Sequence, residues 1–147
     1  MTTLLMIVAL AGCNRGSSGY SSVNGTVTLD GSPLAIGTIS FESVPEGEDA
    51  APRRVMTVIR DGKYMFSAED GPSAGSQKVY IDSIQQPSAE ELKAAENGRR
   101  NEGRSEEPVA LPQAVNLVPE KYNRDSKLKT KLVNGDNPNT DFDLSTE

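Results

Sequence analysis

Apolar and polar residues alternate along most of this chain, and alternation of period two predicts strands rather than helices. Val23, Gly25, Val27 and Leu29 are separated by Asn24, Thr26 and Thr28, and Asp30-Gly31 followed by Ser32-Pro33 supplies the turn that ends this first segment. Ile39 and Phe41 share one face of residues 37–42. Met56 and Val58 share a face of the next segment, Asp61-Gly62 forms a two-residue hairpin turn, and Tyr64 and Phe66 return on the opposing strand. Val79 and Ile81 follow the turn-rich stretch 70–75, Leu128, Thr130 and Leu132 mark another strand, and Phe142 and Leu144 mark the last, beyond the turn at 134–138. About seven short strands with this pattern predict an all-β fold, an antiparallel β-sandwich. Its expected core places Phe66 beside Ile39, Phe41, Val58, Ile81 and Phe142.

Two stretches break the alternation. Residues 45–52 (PEGEDAAP) are an acidic, turn-rich loop. Residues 87–112 are rich in Glu, Arg, Asn, Gly and Ala and nearly lack large apolar groups, so they cannot offset their ordering entropy by burial. This predicts a disordered or partly helical surface insertion, with residues 90–97 forming about two helical turns. The domain is therefore expected over residues 21–147.

Composition narrows the chemistry. With 147 residues, 35% of them hydrophobic and 5% aromatic, the chain supplies one modest core plus tails. His is absent and Cys occurs once, which excludes His-based acid/base catalysis, His-containing zinc sites, Cys-His nucleophiles and an intramolecular disulfide. A net charge of -6 and a pI near 4.7 repel phosphate backbones, so nucleic acid is not an expected partner. No metal-binding or cofactor-binding motif stands out, and the expectation is a protein that is not an enzyme, with no cofactor and no metal.

The N-terminal segment carries the sharpest signal. Residues 4–10 (LLMIVAL) are seven apolar residues, whereas a helix that crosses a bilayer needs about twenty. Small residues then lead to the single thiol in Leu10-Ala11-Gly12-Cys13, and a polar stretch, Asn14-Arg15-Gly16-Ser17-Ser18-Gly19, follows. This resembles a bacterial lipoprotein signal with its lipobox: residues 1–12 as signal peptide, Cys13 as the lipidated residue and residues 13–20 as a flexible tether. Met1-Thr2-Thr3 lacks the positive charge usual before such a run, the one departure from the pattern. The resemblance implies export and membrane attachment through fatty acyl chains on Cys13, at the periplasmic face of the outer membrane or the cell surface.

Val23-x-Gly25-x-Val27-x-Leu29-Asp30-Gly31-x-Pro33-Leu34, then Gly37-x-Ile39-x-Phe41, Asp61-Gly62-x-Tyr64-x-Phe66 and Gly75 leading to Val79-x-Ile81 resemble the carboxypeptidase regulatory-like, transthyretin-like sandwich. The tail Leu117-Val118-Pro119-Glu120-Lys121-Tyr122, with Gly135-Asp136-Asn137 before Phe142-Asp143-Leu144, is similar to small lipoproteins of planctomycete-type bacteria with this fold. The resemblance covers residues from Ser21 onward apart from the insertion, and it implies no catalytic residues. Hydrolases that share the architecture depend on His and a Tyr-Arg-Gly-Ser terminus, whereas this chain ends Leu144-Ser145-Thr146-Glu147.

Several groups carry candidate chemistry. Asp141 and Asp143 project from one face of a strand near Asp136 and Asn139, an arrangement suited to Ca2+ or to a glycosidase carboxylate pair, or to a charged edge that deters aggregation. Gly71-Pro72-Ser73-Ala74-Gly75 matches a nucleophile elbow but lacks a His base. Arg53-Arg54 is a candidate anion site, although neighbours in a strand point to opposite faces. Among the four tyrosines, Tyr64 is expected in the core, Tyr122 packed on the sandwich with its hydroxyl bonded to backbone, and Tyr80 outside as a sugar-stacking ring. Asn24-Gly25-Thr26 matches a glycosylation sequon but reads as a strand element. The expected function is a membrane-anchored, non-catalytic structural or protein-interaction module, with an envelope protein or polysaccharide as partner. The alternative is a carbohydrate- or Ca2+-binding envelope module.

Overall fold

The computed structural model describes residues 19–45, 51–101 and 110–147. Its strands are β1 (Ser22–Leu29), β2 (Ser32–Pro33), β3 (Ile36–Ser43), β4 (Arg54–Arg60), β5 (Lys63–Phe66), β6 (Gly75–Asp82) and β7 (Ile84–Gln85). Helix α1 (Ala89–Asn101) follows, then β8 (Val115–Asn116), a 3-10 turn (Glu120–Tyr122), β9 (Lys129–Leu132), β10 (Asp136–Asn137) and β11 (Phe142–Leu144). Seven of these strands have three residues or more, and they fall where the alternation places them. Asp30-Gly31 and Asp61-Gly62 carry positive φ at both residues (50° and 78°, 49° and 73°), the backbone geometry of hairpin turns whose twist matches that of the flanking strands.

Nine strands form one sheet in the order β10-β1-β5-β4-β3-β6-β9, with β2 and β11 also on β1, while β7 and β8 pair separately. β4 and β5 meet at the single pair Arg60–Lys63. Their hairpin therefore opens beyond its turn and the sheet curls, bringing β1 and β5 across the core from β4-β3-β6-β9. Phe41 of β3 meets Phe66 of β5 edge to face at 5.5 Å between ring centroids, and Phe142 of β11 at 6.2 Å. Most pairings are antiparallel, but β10 and β11 run parallel to β1, so the last strands close against the first.

The core differs from expectation on β4. Val58 is 45% exposed and Met56 66%, while Ile59 is fully buried. Met56 and Val58 do share a face, and it is the outer one. The Asp61-Gly62 turn pairs Arg60 with Lys63, which fixes the register, and a one-residue change of register exchanges the two faces of a strand. Phe66, Ile39, Phe41, Ile81 and Phe142 are buried together as expected.

Part of the insertion is an ordered helix, longer than the segment expected from residues 90–97. A reciprocal cap starts it: the Ser88 N–H donates to Glu91 Oε2 at 2.7 Å and the Glu91 N–H to Ser88 Oγ at 3.2 Å. These bonds hold the Glu91 carboxyl below its ordinary value. Ser88-x-x-Glu91 is legible in the sequence as a helix start. Leu92 on the helix is 45% exposed, so α1 contributes little to the core.

Candidate functional site

The carboxylates near the C-terminus are tied to the outer face of β1. Asp136 accepts from Ser22 Oγ at 2.5 Å, Asp141 from the Thr26 N–H at 2.6 Å and Oγ1 at 2.9 Å, and Asp143 from Thr28 Oγ1 at 2.6 Å. Asp30, at the end of β1, accepts from the Thr146 N–H and hydroxyl at 2.9 and 2.8 Å, which lowers its pKa. The alternation that points Val23 and Val27 inward points these hydroxyls outward, and the parallel register sets one carboxylate beside each. Among the described residues no three acidic, His or Cys side chains converge as a metal site.

The other candidates are likewise engaged. Tyr80 does face away from Val79 and Ile81, yet it is only 9% exposed, which corrects its reading as an outside, open sugar platform. Arg54 lies 4.0 Å and Lys78 4.9 Å from its ring centroid, and its hydroxyl donates to Glu42 Oε1 at 3.0 Å. The long aliphatic stems of flanking cations cover the ring, an arrangement that strand parity alone cannot reveal. Arg53 points to the opposite face from Arg54, where it stacks on Tyr20 at 4.2 Å and donates to the Gly71 carbonyl at 2.7 Å. The 71–75 loop accepts the Ser21 N–H at the Pro72 carbonyl and leads into β6. Tyr64 is buried, with its hydroxyl donating to the Thr140 carbonyl at 2.5 Å; burial and the nearby Asp141 charge push its pKa up. The Tyr122 hydroxyl accepts the Ser145 N–H at 3.1 Å, as its expected bond to backbone requires.

Cys13 lies outside the described residues, as does most of the acidic loop.

Two surface features were not anticipated from the sequence. An open groove of 740 Å³ lies over β1, β5 and β4, lined among others by Asn24, Thr26, Val58, Lys63 and Met65. The outward Met65 and Val58 form its apolar part, and the assignment of Val58 to the core concealed it. The second feature is a row of lysines on the edge strand. The outer face of β1, β10 and β11 presents Asp136, Asp141 and Asp143; on the outer face of β4-β3-β6-β9, Glu42 lies in register between Arg54 and Lys78 and Asp82 stands further along β6, while the edge strand β9 carries Lys129 and Lys131, with Lys127 just before it. Lys127, Lys129 and Lys131 alternate in the sequence, and that period was the available signal. Comparison of the chain with protein-family models, with curated proteins and with solved structures gives no match.

Proposed function

We propose that this chain is an exported, lipid-anchored envelope protein whose β-sandwich serves as a non-catalytic interaction or structural module. The sequence Leu10-Ala11-Gly12-Cys13, followed directly by a polar tether and then by β1, carries the proposal. Acyl chains bury roughly 0.8 kcal/mol per CH2, so two or more on Cys13 give durable attachment. The order of hairpin turns and strands supports a transthyretin-like, carboxypeptidase regulatory-like module. The absence of His, and the use of Asp136, Asp141, Asp143 and Ser73 or their loops in bonds internal to the fold, support a non-catalytic role. The covered Tyr80 ring and the dispersed carboxylates weigh against a carbohydrate or Ca2+ site. Cys13→Ala tests the anchor: the protein is expected to leave the membrane fraction and to lose incorporation of labelled fatty acid. Persistent label, or unchanged fractionation, refutes it.

A further inference from the structure

The lysine row on the edge strand β9 is an unassigned surface among the described residues. Lys78 of β6 pairs across the sheet with Lys129 of β9, and Lys131 lies two residues further along the same edge strand. Lys127, Lys129 and Lys131 are exposed, and among the described residues none of them forms an ion pair with a carboxylate. Lysines directly opposite each other repel, and lysines on an exposed edge strand deter edge-to-edge pairing. The same exposed row is also free to meet an anionic surface.

We infer that this face docks on the headgroups of an anionic lipid bilayer. The inference rests on the anchor proposed above, and the position of the tether carries it. Tyr20 bridges to Ser73, and Ser21 Oγ donates to the Val133 carbonyl at 2.8 Å, two residues beyond Lys131. The chain thus enters the sandwich at the end of the lysine strand. Cys13 stands seven residues before Tyr20, and a chain of that length reaches at most about 25 Å when fully extended. An acylated Cys13 accordingly keeps this end of the sandwich near the bilayer surface. Val133, 61% exposed, and Val44, 45% exposed, lie at the same end, and the Val44 N–H donates to the Ser76 carbonyl opposite Lys131. Side chains along one face of a strand repeat every ~7 Å, so the amines of β9 form a row able to meet several headgroups at once. The carboxylates of Asp141 and Asp143 lie along the opposite outer face, further along β1 from the end at which the tether enters, and repulsion from the same bilayer turns that face outward.

The test uses the full chain carrying Cys13→Ala, so that acyl insertion does not mask the electrostatic contribution, and measures co-sedimentation with vesicles. Each lysine near an anionic surface adds about fivefold to affinity, and three add about 100-fold. The chain is expected to prefer phosphatidylglycerol vesicles over phosphatidylcholine vesicles by about that factor, and to lose the preference in high salt. Lys127→Gln/Lys129→Gln/Lys131→Gln is expected to abolish the preference with an unchanged thermal midpoint, whereas Lys63→Gln, on β5, is expected to retain it. Equal affinity for the two vesicle types, or a triple variant that keeps its preference, overturns the inference. Retention on polygalacturonate without a preference between vesicles overturns it in favour of an acidic polysaccharide. Fatty-acid labelling of the unmodified sequence reads the anchor separately. A charge preference without label upholds the docking face and removes the anchor, and label without charge preference does the reverse.

Discussion

A Cβ placed on Gly25 would lie 2.1 Å from the Thr140 carbonyl oxygen, well inside contact distance. That oxygen accepts the buried Tyr64 hydroxyl, and the Thr140 N–H donates to the Asn24 carbonyl at 3.0 Å, so one glycine lets the segment before β11 settle against β1. Gly25→Ala must displace this backbone, and overpacking plus a weakened hydrogen bond should cost about 3 kcal/mol. Gly31 is a useful contrast, because its φ of 78° strains any side chain but nothing lies within 4 Å of its Cβ position. Gly31→Ala should cost roughly 1 kcal/mol. Urea unfolding of the two variants measures the difference, and equal losses would show that the approach of Thr140 does not constrain Gly25. Val27 and Phe66 were legible at this scale because period two marks them. The demand on Gly25 was not, since Thr140 is distant in sequence.

Helix α1 is the element least coupled to the sandwich. Its start is capped locally by Ser88 and Glu91, while the chain on either side is held by other contacts. Ile84–Gln85 pair with Val115–Asn116, and Asn116 Oδ1 accepts the N–H groups of Ser83 and Val118. Replacing residues 87–112 by a short Gly/Ser bridge retains these bonds, and loop closure changes by only about 0.6 kcal/mol per doubling of length. The thermal midpoint should stay nearly constant while helical circular dichroism falls. A loss of several kcal/mol would mean that the insertion packs on the sandwich. The cap was readable from Ser88-x-x-Glu91, whereas the facing of β4 was not. Val55, Thr57 and Ile59 alternate as convincingly as Met56 and Val58, and the pairing of Arg60 with Lys63 selects between them.

For the whole molecule, the pairing of β11 with β1 joins the last strand of the sandwich to the first. β11 inserts Phe142 and Leu144 into the core beside β1, and hydroxyl–carboxylate bonds along β1 and at Asp30 hold its outer side. Truncation after Thr140 removes two large buried side chains, each contributing about 1.5–3 kcal/mol, along with the ladder to β1. Domains of this size hold about 5–15 kcal/mol in total, so the truncated chain should show no cooperative thermal transition. A sharp transition near that of the full chain would mean that β11 is peripheral.

The sequence by itself determined the all-β class, the positions of the seven longer strands, the two Asp-Gly hairpin turns, the core placement of Tyr64 and Phe66, and a partly helical insertion. These depend on local periodicity and on backbone preferences of neighbouring residues. Only the tertiary structure decided the inward face of β4, the parallel return of β10 and β11, the covering of Tyr80 and the pairing of each C-terminal carboxylate with a hydroxyl of β1. Each depends on a partner far along the chain: Glu42 is 38 residues from Tyr80, and Thr26 is 115 residues from Asp141. No local pattern specifies which distant strand will supply the neighbouring side chain, and that neighbour determines whether a carboxylate, a ring or a lysine is left for a partner outside the fold.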